Sequence, residues 1–472
     1  MRIAILGFAR EGQSLLAFLK KSAQYKNAEF WIVDKKATTK IPPGVHGQLG
    51  KNYLQNLEKF GLVFRSPGVP YNLPELKKAR RAGVVFSSAT KLFFENCPAT
   101  IIGVTGTKGK STTSTLIYRV LKAAKKKAVL AGNIGSSALD SLPTISKKTY
   151  VVLELSSFQL QDLQTSPQIA VVLDVFPDHQ DSHLNLNEYY DAKANIARYQ
   201  KKGGEIFFFK HSPKSRWIAQ KSRGKKIAVD EKRFELFGEK DLKLRGGHSF
   251  RNAVMAATVA LNLGIPRKTV IRVIKNFRGL EHRLELVRTI RVMTPAQRKA
   301  KMVYSGILKN LRIDFYNDSA STNPHTTAAA IQAFNDKRQV TSNKRGAKNH
   351  PLTHVACHMS LILIAGGQDK NLDYKPLAEA LKNSDTKLAV LYGENKKKIA
   401  GAISRIKNPG LRIMLVGNLK SAVTTAYTFA KKSIIHNSSF VILFSPGAAS
   451  FDQFKNYADR GTQFKKFVKK LK

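Results

Sequence analysis

Short apolar runs alternate along this chain with longer amphipathic stretches. The first apolar run, residues 2–8, leads through a glycine-containing turn into a helix predicted over 13–20, and a second strand is predicted over 29–34. Strands that alternate with helices in this way are typical of parallel sheets covered by helices. The pattern therefore predicts an α/β protein.

The same alternation continues to the end of the chain. Further strands are predicted over 99–105, 128–135, 150–156, 169–175, 312–319, 361–367, 388–393, 412–417 and 440–445. Most of these runs end in Gly, Ser, Asp or Asn, and ligands of open α/β sheets bind beyond the carboxyl ends of the strands. Two lysine-rich polar segments, 291–310 and 337–358, are predicted to be surface insertions.

Composition excludes several classes of protein. The chain is 43% hydrophobic and 24% charged, which is ordinary for globular domains. Its two cysteines, Cys97 and Cys357, exclude a disulfide framework and a four-thiolate zinc site. No apolar run is long enough to span a membrane, and residues 3–8 are too short for the core of a signal peptide. We expect a cytoplasmic protein without stable membrane association.

The net charge of +48 is extreme. Such a charge fits nucleic acid, an anionic membrane surface, or a lysine-rich surface that attracts anionic substrates. The lysines are spread over the whole chain, and no zinc-finger or RNP-type motif accompanies them. We therefore expect a solvated basic surface and no specific nucleic-acid site, while weak salt-sensitive binding to nucleic acid stays open.

A glycine-rich loop gives the strongest chemical signal. The segment Gly-Val-Thr-Gly-Thr-Lys-Gly-Lys-Ser-Thr (103–112) lies between a predicted strand and a helix predicted over 111–124. In such a loop the backbone N–H groups cradle a phosphate, Lys110 can reach the β- and γ-phosphates of ATP, and Ser111 or Thr112 can ligate Mg²⁺. Val104 stands where the strict P-loop pattern has its first glycine, so a plain strand-to-helix turn is the alternative.

Polar residues follow the neighbouring strands and are expected to meet Lys110. Asn133 and Glu154 lie near the ends of predicted strands, and Asp178 and His179 follow shortly after the next one. Glu154 can ligate Mg²⁺, and His179 can ligate a second ion or serve a structural role.

The first turn of the chain is a weaker signal. Residues 7–12 form a G-x-A-x-x-G variant of the dinucleotide fingerprint, and Asp34 lies near the expected distance for its acidic residue. A nucleotide diphosphate held by this turn and a generic tight βα turn are both open interpretations.

Taken in order, these motifs resemble the Mur ligase family. The matching segments are 103–112, 132–135, 154–160, 177–181, 279–285, 317–324, 366–370 and 445–461. Segment 154–160, Glu-Leu-Ser-Ser-Phe-Gln-Leu, and the later Ser-Phe-Asp-Gln-Phe (450–454) resemble the D-glutamate-adding member in particular.

The resemblance implies an ATP-dependent amide ligase of peptidoglycan precursor synthesis. Such an enzyme phosphorylates the L-alanyl carboxylate of UDP-N-acetylmuramoyl-L-alanine, and the amine of D-glutamate then attacks the acyl phosphate. It also implies three α/β domains, each with a mainly parallel sheet: a Rossmann-like UDP-substrate domain (1–96), a P-loop-type central ATPase domain (97–279) and a Rossmann-like amino-acid domain (280–472). We expect a monomer in which domain closure assembles the site.

The resemblance also assigns residues. For ATP it implies Gly106, Thr107, Lys108, Gly109, Lys110, Ser111, Thr112, Asn252, His282, Arg283 and Asp318. For two magnesium ions it implies Ser111, Glu154, His179 and Lys193, the last as a carbamylated lysine. For catalysis it implies Lys110, Glu154, His179, Lys193 and Arg283. Asp34, Ser66 and Gly68 would hold the uridine diphosphate, Asn133 the sugar or its peptide, and Thr322, Lys370, Ser450 and Phe451 the D-glutamate.

The chain departs from the family pattern in two motifs. Ala320 stands where the family reads Lys in Asn-Asp-Ser-Lys-Ala-Thr-Asn, and Ser249 stands where it reads Asn in His-Asn-x-x-Asn. Loss of the lysine is expected to slow catalysis or change the accepted amino acid, unless Arg283 or another lysine supplies the charge. A ligase with a different acceptor, a folylpolyglutamate-type ligase and a non-catalytic nucleic-acid-binding descendant stay open as alternatives.

Overall fold

A computed structural model of the chain describes residues 1–134, 137–177, 183–243, 247–292, 311–342, 359–370, 372–406, 408–434 and 439–471. The predicted metal ligand His179 lies outside the described residues, as do most of the two predicted insertions. The described part of the chain contains three sheets.

The first sheet has five parallel strands in the order β3-β2-β1-β4-β5. Its strands are β1 (Arg2–Leu6), β2 (Glu29–Asp34), β3 (His46–Leu49), β4 (Leu62–Arg65) and β5 (Val85–Ser87). Its helices are α1 (Arg10–Lys21), α2 (Pro74–Arg81) and α3 (Ala89–Asn96).

The second sheet has six parallel strands in the order β11-β10-β9-β6-β8-β7. Its strands are β6 (Thr100–Thr105), β7 (Ala128–Gly132), β8 (Tyr150–Glu154), β9 (Ile169–Val172), β10 (Glu205–Phe209) and β11 (Lys225–Val229). Its helices are α4 (Lys110–Ala123), α5 (Ala138–Ser141), α6 (Ser157–Leu160), α7 (Leu186–Arg198), α8 (Pro213–Ala219), α9 (Gly247–Asn262) and α10 (Arg267–Asn276).

The third sheet has six strands in the order β12-β13-β17-β14-β15-β16, with only β12 antiparallel to its neighbour. Its strands are β12 (Glu285–Arg291), β13 (Arg312–Asn317), β14 (Met359–Gly366), β15 (Thr386–Tyr392), β16 (Arg412–Leu415) and β17 (Ser439–Phe444). Its helices are α11 (Pro324–Ser342), α12 (Lys375–Lys382), α13 (Lys396–Ser404), α14 (Leu419–Ser433) and α15 (Tyr457–Lys469). The predicted α/β class with mainly parallel sheets is confirmed.

Several helices begin at a side-chain cap. Ser88 caps α3, Asn185 caps α7, Asn418 caps α14 and Asn456 caps α15, each accepting a hydrogen bond from a backbone N–H of the first turn. A short polar side chain at this position satisfies a donor that the helix itself cannot. The sequence therefore fixes where these helices start.

The chain divides into two compact units, Met1–Phe277 and Arg278–Lys472. In the first unit one hydrophobic core runs through both sheets, since Ile5 and Phe93 belong to the same buried cluster as Ile101 and Leu153. The division into three domains stays a prediction. Among the described residues, no helix combines the length and apolar character that a membrane-spanning segment needs.

Candidate active site

The phosphate loop joins β6 to α4 through two glycines with positive φ. Gly106 has φ +154° and Gly109, the residue before α4, has φ +87°. A side chain at Gly106 would place its Cβ 2.7 Å from the Cβ of Leu173, and one at Gly109 would overlap the amide of Asn252. Gly109 has no side chain to cap α4, and an uncapped helix N-terminus of this kind can bind an anion through its first N–H groups.

Two lysines converge on this loop. Lys110 Nζ donates to the carbonyl oxygens of Gly106 and Thr107, at 3.0 Å and 3.1 Å. Lys193 is only 2% exposed, and its Nζ also donates to the carbonyl of Gly106, at 3.0 Å. Lys193 also lies 4.8 Å from the centre of the Tyr189 ring. Two ammonium groups therefore lie against the loop.

Glu154 ends β8 beside the loop and is 1% exposed. Its Oε1 accepts a hydrogen bond from Asn133 Nδ2 at 3.0 Å, whereas its buried Oε2 has no hydrogen-bond partner among the described residues. A buried carboxylate oxygen without a donor fits a Mg²⁺ ligand, because this ion prefers oxygen ligands. Ser111, on the first turn of α4, is also buried.

Within the described ranges, no group of three or more His, Cys, Asp or Glu side chains could hold a metal ion. Any second ion held by His179 therefore depends on a residue that the structure does not describe.

A cavity of about 390 Å³ brings several predicted residues together. Its lining residues are Pro67, Gly68, Pro70, Thr107, Lys110, Asn133, Ser156, Ser157, Phe158, Tyr189 and Lys193. It thus joins Gly68 and Asn133, predicted for the UDP-substrate, to Thr107 and Lys110, predicted for ATP. Residues from distant parts of the chain meet here because they follow parallel strands.

Sequence reasoning missed His183 and Tyr189. His183 is 4% exposed, stacks on Phe158 with ring centres 5.1 Å apart, and has Nε2 3.0 Å from Ser157 Oγ. Tyr189 shares a hydrogen bond of 2.8 Å with Thr107 Oγ1. Tyr189 precedes Lys193 by one helical turn, and that spacing was the available signal.

Two residues that were predicted to bind the uridine diphosphate, Asp34 and Ser66, make hydrogen bonds that stabilise the turn after β1. Asp34 accepts from the backbone N–H groups of Phe8 and Lys36, at 2.6 Å and 2.8 Å. Ser66 Oγ donates to the carbonyl of Gly7 at 2.7 Å. Both side chains therefore shape the βα turn at the carboxyl edge of the first sheet.

Asn252 lies on α9 with its amide against Gly109 of the phosphate loop. The preceding residue, Arg251, makes a bidentate ion pair with Asp174. Its Nη2 donates to Oδ1 at 2.9 Å and its Nε donates to Oδ2 at 3.0 Å. The carbonyl of Asp174 in turn accepts from Thr107 N at 2.8 Å. These contacts fix α9 against the loop.

The second unit holds a separate group of predicted residues. Asp318 directly follows β13, and its carboxylate accepts from Ser321 Oγ at 2.5 Å, Ser445 Oγ at 2.8 Å and Leu284 N at 3.2 Å. Burial raises the pKa of the Asp318 carboxyl to about 6, although the two hydroxyls and the Arg283 guanidinium oppose the shift.

His282 lies in the left-handed region, at φ +62°, with its ring buried. Its Nδ1 lies 2.9 Å from Asn317 Nδ2. Burial, together with the nearby Lys465 ammonium, lowers the pKa of His282. This shift favours the neutral form of the imidazole.

The predicted amino-acid residues lie at strand ends of the third sheet. Lys370 Nζ lies 5.6 Å from the ring centre of Phe451, which is 62% exposed, while Ser450 is buried. Thr322 is exposed and follows Ser321, whose carbonyl accepts from Gly447 N at 3.0 Å.

Sequence reasoning also missed Arg460, a fully buried side chain of α15. Its guanidinium donates to the carbonyls of Ala448 and Ala449 and to both oxygens of Ser319, at 2.9 to 3.2 Å. It thereby ties the loop after β17 to the loop after β13.

Comparison with known proteins agrees with this architecture. Residues 104–235 match the family described as the Mur ligase middle domain. The chain is 32% identical to a UDP-N-acetylmuramoylalanine–D-glutamate ligase from Acetivibrio thermocellus, over 100% of this chain and 96% of that protein. It is 33% identical to the protein of the same name from Clostridium acetobutylicum, over 100% and 97%.

Solved structures share the fold. The UDP-N-acetylmuramate-alanine ligase MurC of Thermotoga maritima superposes with a TM-score of 0.51 at 18% identity, over 100% of both chains. The folylpolyglutamate synthase of Mycobacterium tuberculosis, solved with ADP, gives 0.52 at 13% identity, over 80% of this chain and 93% of that one. With full-length relatives above 30% identity, the chain belongs to the UDP-N-acetylmuramoylalanine–D-glutamate ligases of the Mur ligase family.

Proposed function

We propose that this chain is an ATP-dependent ligase that joins D-glutamate to UDP-N-acetylmuramoyl-L-alanine in peptidoglycan precursor synthesis. The observation that carries the proposal is the cavity in which Gly68 and Asn133 meet Lys110, Lys193 and Thr107. A site that activates a carboxylate with ATP needs the acyl group and the γ-phosphate in one place.

The reaction has two steps. A carboxylate oxygen of the L-alanyl group attacks the γ-phosphorus of ATP, and ADP leaves. The amine nitrogen of D-glutamate then attacks the acyl carbon, forms the C–N bond and loses a proton, while the C–O bond to phosphate breaks. Two anionic groups approach each other in the first step, and Lys110 offsets their repulsion.

Among the described residues, Glu154 and Ser111 would hold Mg²⁺. The best-fitting ligand atom is Oε2 of Glu154, which has no hydrogen-bond partner in the part of the chain that the structure describes. When bound, this ion neutralises phosphate charge. We propose His179 and a carbamylated Lys193 for a second ion, since carbamylation replaces an ammonium by a carboxylate. A mass increase equal to one CO₂ on Lys193 would test this modification.

We assign the remaining nucleotide contacts to Gly106 through Thr112, Asn252, His282, Arg283 and Asp318. Asp34 and Ser66 would hold the uridine diphosphate through the turn that they shape. Thr322, Lys370, Ser450 and Phe451 would recognise D-glutamate. Residues 1–96, 97–279 and 280–472 would act as the UDP-substrate, ATP and amino-acid domains, and monomeric, cytoplasmic action stays a prediction.

The test is release of inorganic phosphate from ATP by the purified chain with Mg²⁺ and UDP-N-acetylmuramoyl-L-alanine. We expect release only when D-glutamate is added, and not with L-glutamate, L-lysine or meso-diaminopimelate. Equal release of phosphate with another acceptor would contradict the proposed specificity. Such a result is expected if alanine at position 320 changes the accepted amino acid.

A variant with its control tests the phosphate loop. Lys110→Ala should lower phosphate release about 10²- to 10³-fold, because it removes a charge that stabilises the transition state. Lys122→Ala, an exposed lysine of the same helix, should have no effect. If Lys110→Ala remains fully active, the loop does not bind ATP as proposed.

A further inference from the structure

Glu188 lies on the first turn of α7, and its side chain is 21% exposed. Its carboxylate accepts hydrogen bonds from three donors outside that turn. Leu184 N donates to Oε2 at 2.6 Å, and Gln161 Nε2 donates to Oε1 at 2.7 Å. Asn72 Nδ2 donates to the same Oε1.

Two of these donors come from far away in the chain. Asn72 is 116 residues from Glu188, and Gln161 is 27 residues away, just after α6. A glutamate at this position of a helix commonly accepts from the backbone just before the helix, as it does from Leu184. Local capping accounts for that contact, but it does not require side-chain amides from two other segments.

The three segments surround the cavity described above. Pro67, Gly68 and Pro70 line one wall and belong to the loop that ends at Asn72, whereas Tyr189 and Lys193 line the other wall and belong to α7. Lys193 and Tyr189 in turn contact the phosphate loop, through Gly106 and Thr107. Glu188 therefore connects the wall that carries Gly68 to the wall that carries Lys193.

We infer that Glu188 is a positioning residue that holds loop 67–72 against α7. It thereby sets the distance between the cavity wall that carries Gly68 and the two lysines that contact the phosphate loop, Lys110 and Lys193. This inference rests on the proposed function, because it assigns the cavity to the acyl end of the UDP-linked substrate.

The chemistry of the site distinguishes glutamate from glutamine. Each carboxylate oxygen accepts at least one hydrogen bond, whereas a glutamine side chain offers one acceptor oxygen and one NH₂ donor. In Glu188→Gln that NH₂ must face either Leu184 N–H or the two side-chain amides. Either Leu184 N–H loses its acceptor or the two side-chain amides must rotate to accept from the new NH₂, and the charged acceptor is lost in both cases, while the size of the side chain hardly changes.

The experiment measures steady-state kinetics of the full chain with UDP-N-acetylmuramoyl-L-alanine, ATP and D-glutamate. Glu188→Gln should raise KM for the UDP-linked substrate about tenfold, as expected for loss of a hydrogen bond to a charged group. KM for ATP should change less than about twofold, because Glu188 accepts no hydrogen bond from the phosphate loop. Asn72→Ala should raise KM for the UDP-linked substrate similarly, although it leaves the local capping of α7 intact.

Combining the two changes separates positioning from capping. If Asn72 acts through Glu188, the effects of the two changes should be less than additive in the double variant. Amide hydrogen exchange without any ligand should be faster in both 67–72 and 183–188 for Glu188→Gln. The matched control Glu58→Gln, at an exposed ion pair with Lys78, should leave KM and exchange unchanged.

Additive effects of the two changes would overturn the inference, as would a lowered melting temperature without a shift in KM. If either variant fails to fold, the other still tests the rise in KM for the UDP-linked substrate against wild type. Absence of turnover by the wild-type chain would instead contradict the proposed function, and faster exchange at both segments would still report the link made by Glu188.

Discussion

Removing one partner of the Arg65–Asp162 ion pair should be unusually destabilising. Arg65 ends β4, and its side chain is 1% exposed. Its Nε and Nη2 donate to Asp162 Oδ2 at 3.1 Å and 3.0 Å, and it also donates to the carbonyls of Val69 and Phe158. One side chain thereby links the first sheet to the segment that follows α6.

Arg65→Met removes all of these donors while keeping a long apolar side chain in the same space. It leaves the Asp162 carboxylate, 14% exposed, without its countercharge, and Oδ1 of this residue already has no hydrogen-bond partner among the described residues. Breaking a buried pair by removing one partner costs about 3–5 kcal/mol, since the remaining charge stays buried. We expect a loss of about this size in the free energy of unfolding of residues 1–277.

The second expectation concerns the double variant. Arg65→Met with Asp162→Asn removes both charges, so the penalty for an unpaired buried carboxylate disappears. The double variant should be about 1–2 kcal/mol more stable than Arg65→Met alone. A structural role of the arginine stem alone would predict no such recovery.

The assay is urea unfolding followed by tryptophan fluorescence. The only tryptophans of the chain, Trp31 and Trp217, both lie in Met1–Phe277, so the signal reports on this unit. Glu58→Gln, which breaks the exposed pair with Lys78, serves as a control that should not shift the transition. A loss below about 1 kcal/mol for Arg65→Met, or no recovery in the double variant, would refute the reasoning.

Three further predictions follow from single residues. Gly109→Ala should raise KM for ATP at least about tenfold, since alanine at positive φ costs about 1–2 kcal/mol and its Cβ would overlap Asn252; an unchanged KM would contradict the role of the loop. Saturating Mg²⁺ should raise the thermal midpoint of wild type but not that of Glu154→Gln. At a hundredfold excess over Kd, the expected gain in the free energy of unfolding is about 2.7 kcal/mol. Burial raises the pKa of Glu11 from near 4.5 to about 7 against the opposing charge of Arg65, so the folded state holds this proton more tightly than the unfolded chain. The resulting stability is present below about pH 4.5 and is lost as pH rises through about 7. Thermal unfolding of Glu11→Gln should therefore depend less on pH over this window than that of wild type. The same pH dependence in both proteins would exclude Glu11 as its source.

The interior of each sheet could be read from the sequence, because strands buried on both faces are continuous apolar runs. Strands predicted over 29–34 and 99–105 match β2 and β6 closely. The edge strands β3, β5, β11 and β12 were not predicted, because each has exposed positions that interrupt its apolar pattern. The interior strand β10 was also missed, although its Ile-Phe-Phe-Phe run is apolar.

The candidate site was predictable only where local chemistry defines it. The phosphate loop has a characteristic glycine pattern, and the convergence of Gly68, Asn133 and Lys110 follows from the geometry of parallel strands. Arg460 lies in the matching segment 445–461, but neither it nor Glu188 was assigned a role, because a buried arginine and a helix-capping glutamate resemble surface residues in a sequence. Their importance depends on partners 11 to 141 residues away.

The effect of Ala320 on the charge of the site can be considered separately from its effect on the conformation of the loop. The backbone N–H of Ala320 donates to the carbonyl of His282 at 3.0 Å, and the neighbouring Ser319 is held by Arg460. These contacts use backbone atoms or neighbouring side chains, so they fix the path of the loop whichever residue occupies position 320. Relative to the family pattern predicted from the sequence, alanine at position 320 lacks a positive charge, while the hydrogen bonds that hold this loop here do not involve its side chain. Because the chain carries 80 lysines and arginines against 32 acidic residues, the general basic field of the protein partly offsets that loss, but a diffuse field cannot replace a donor at one fixed position.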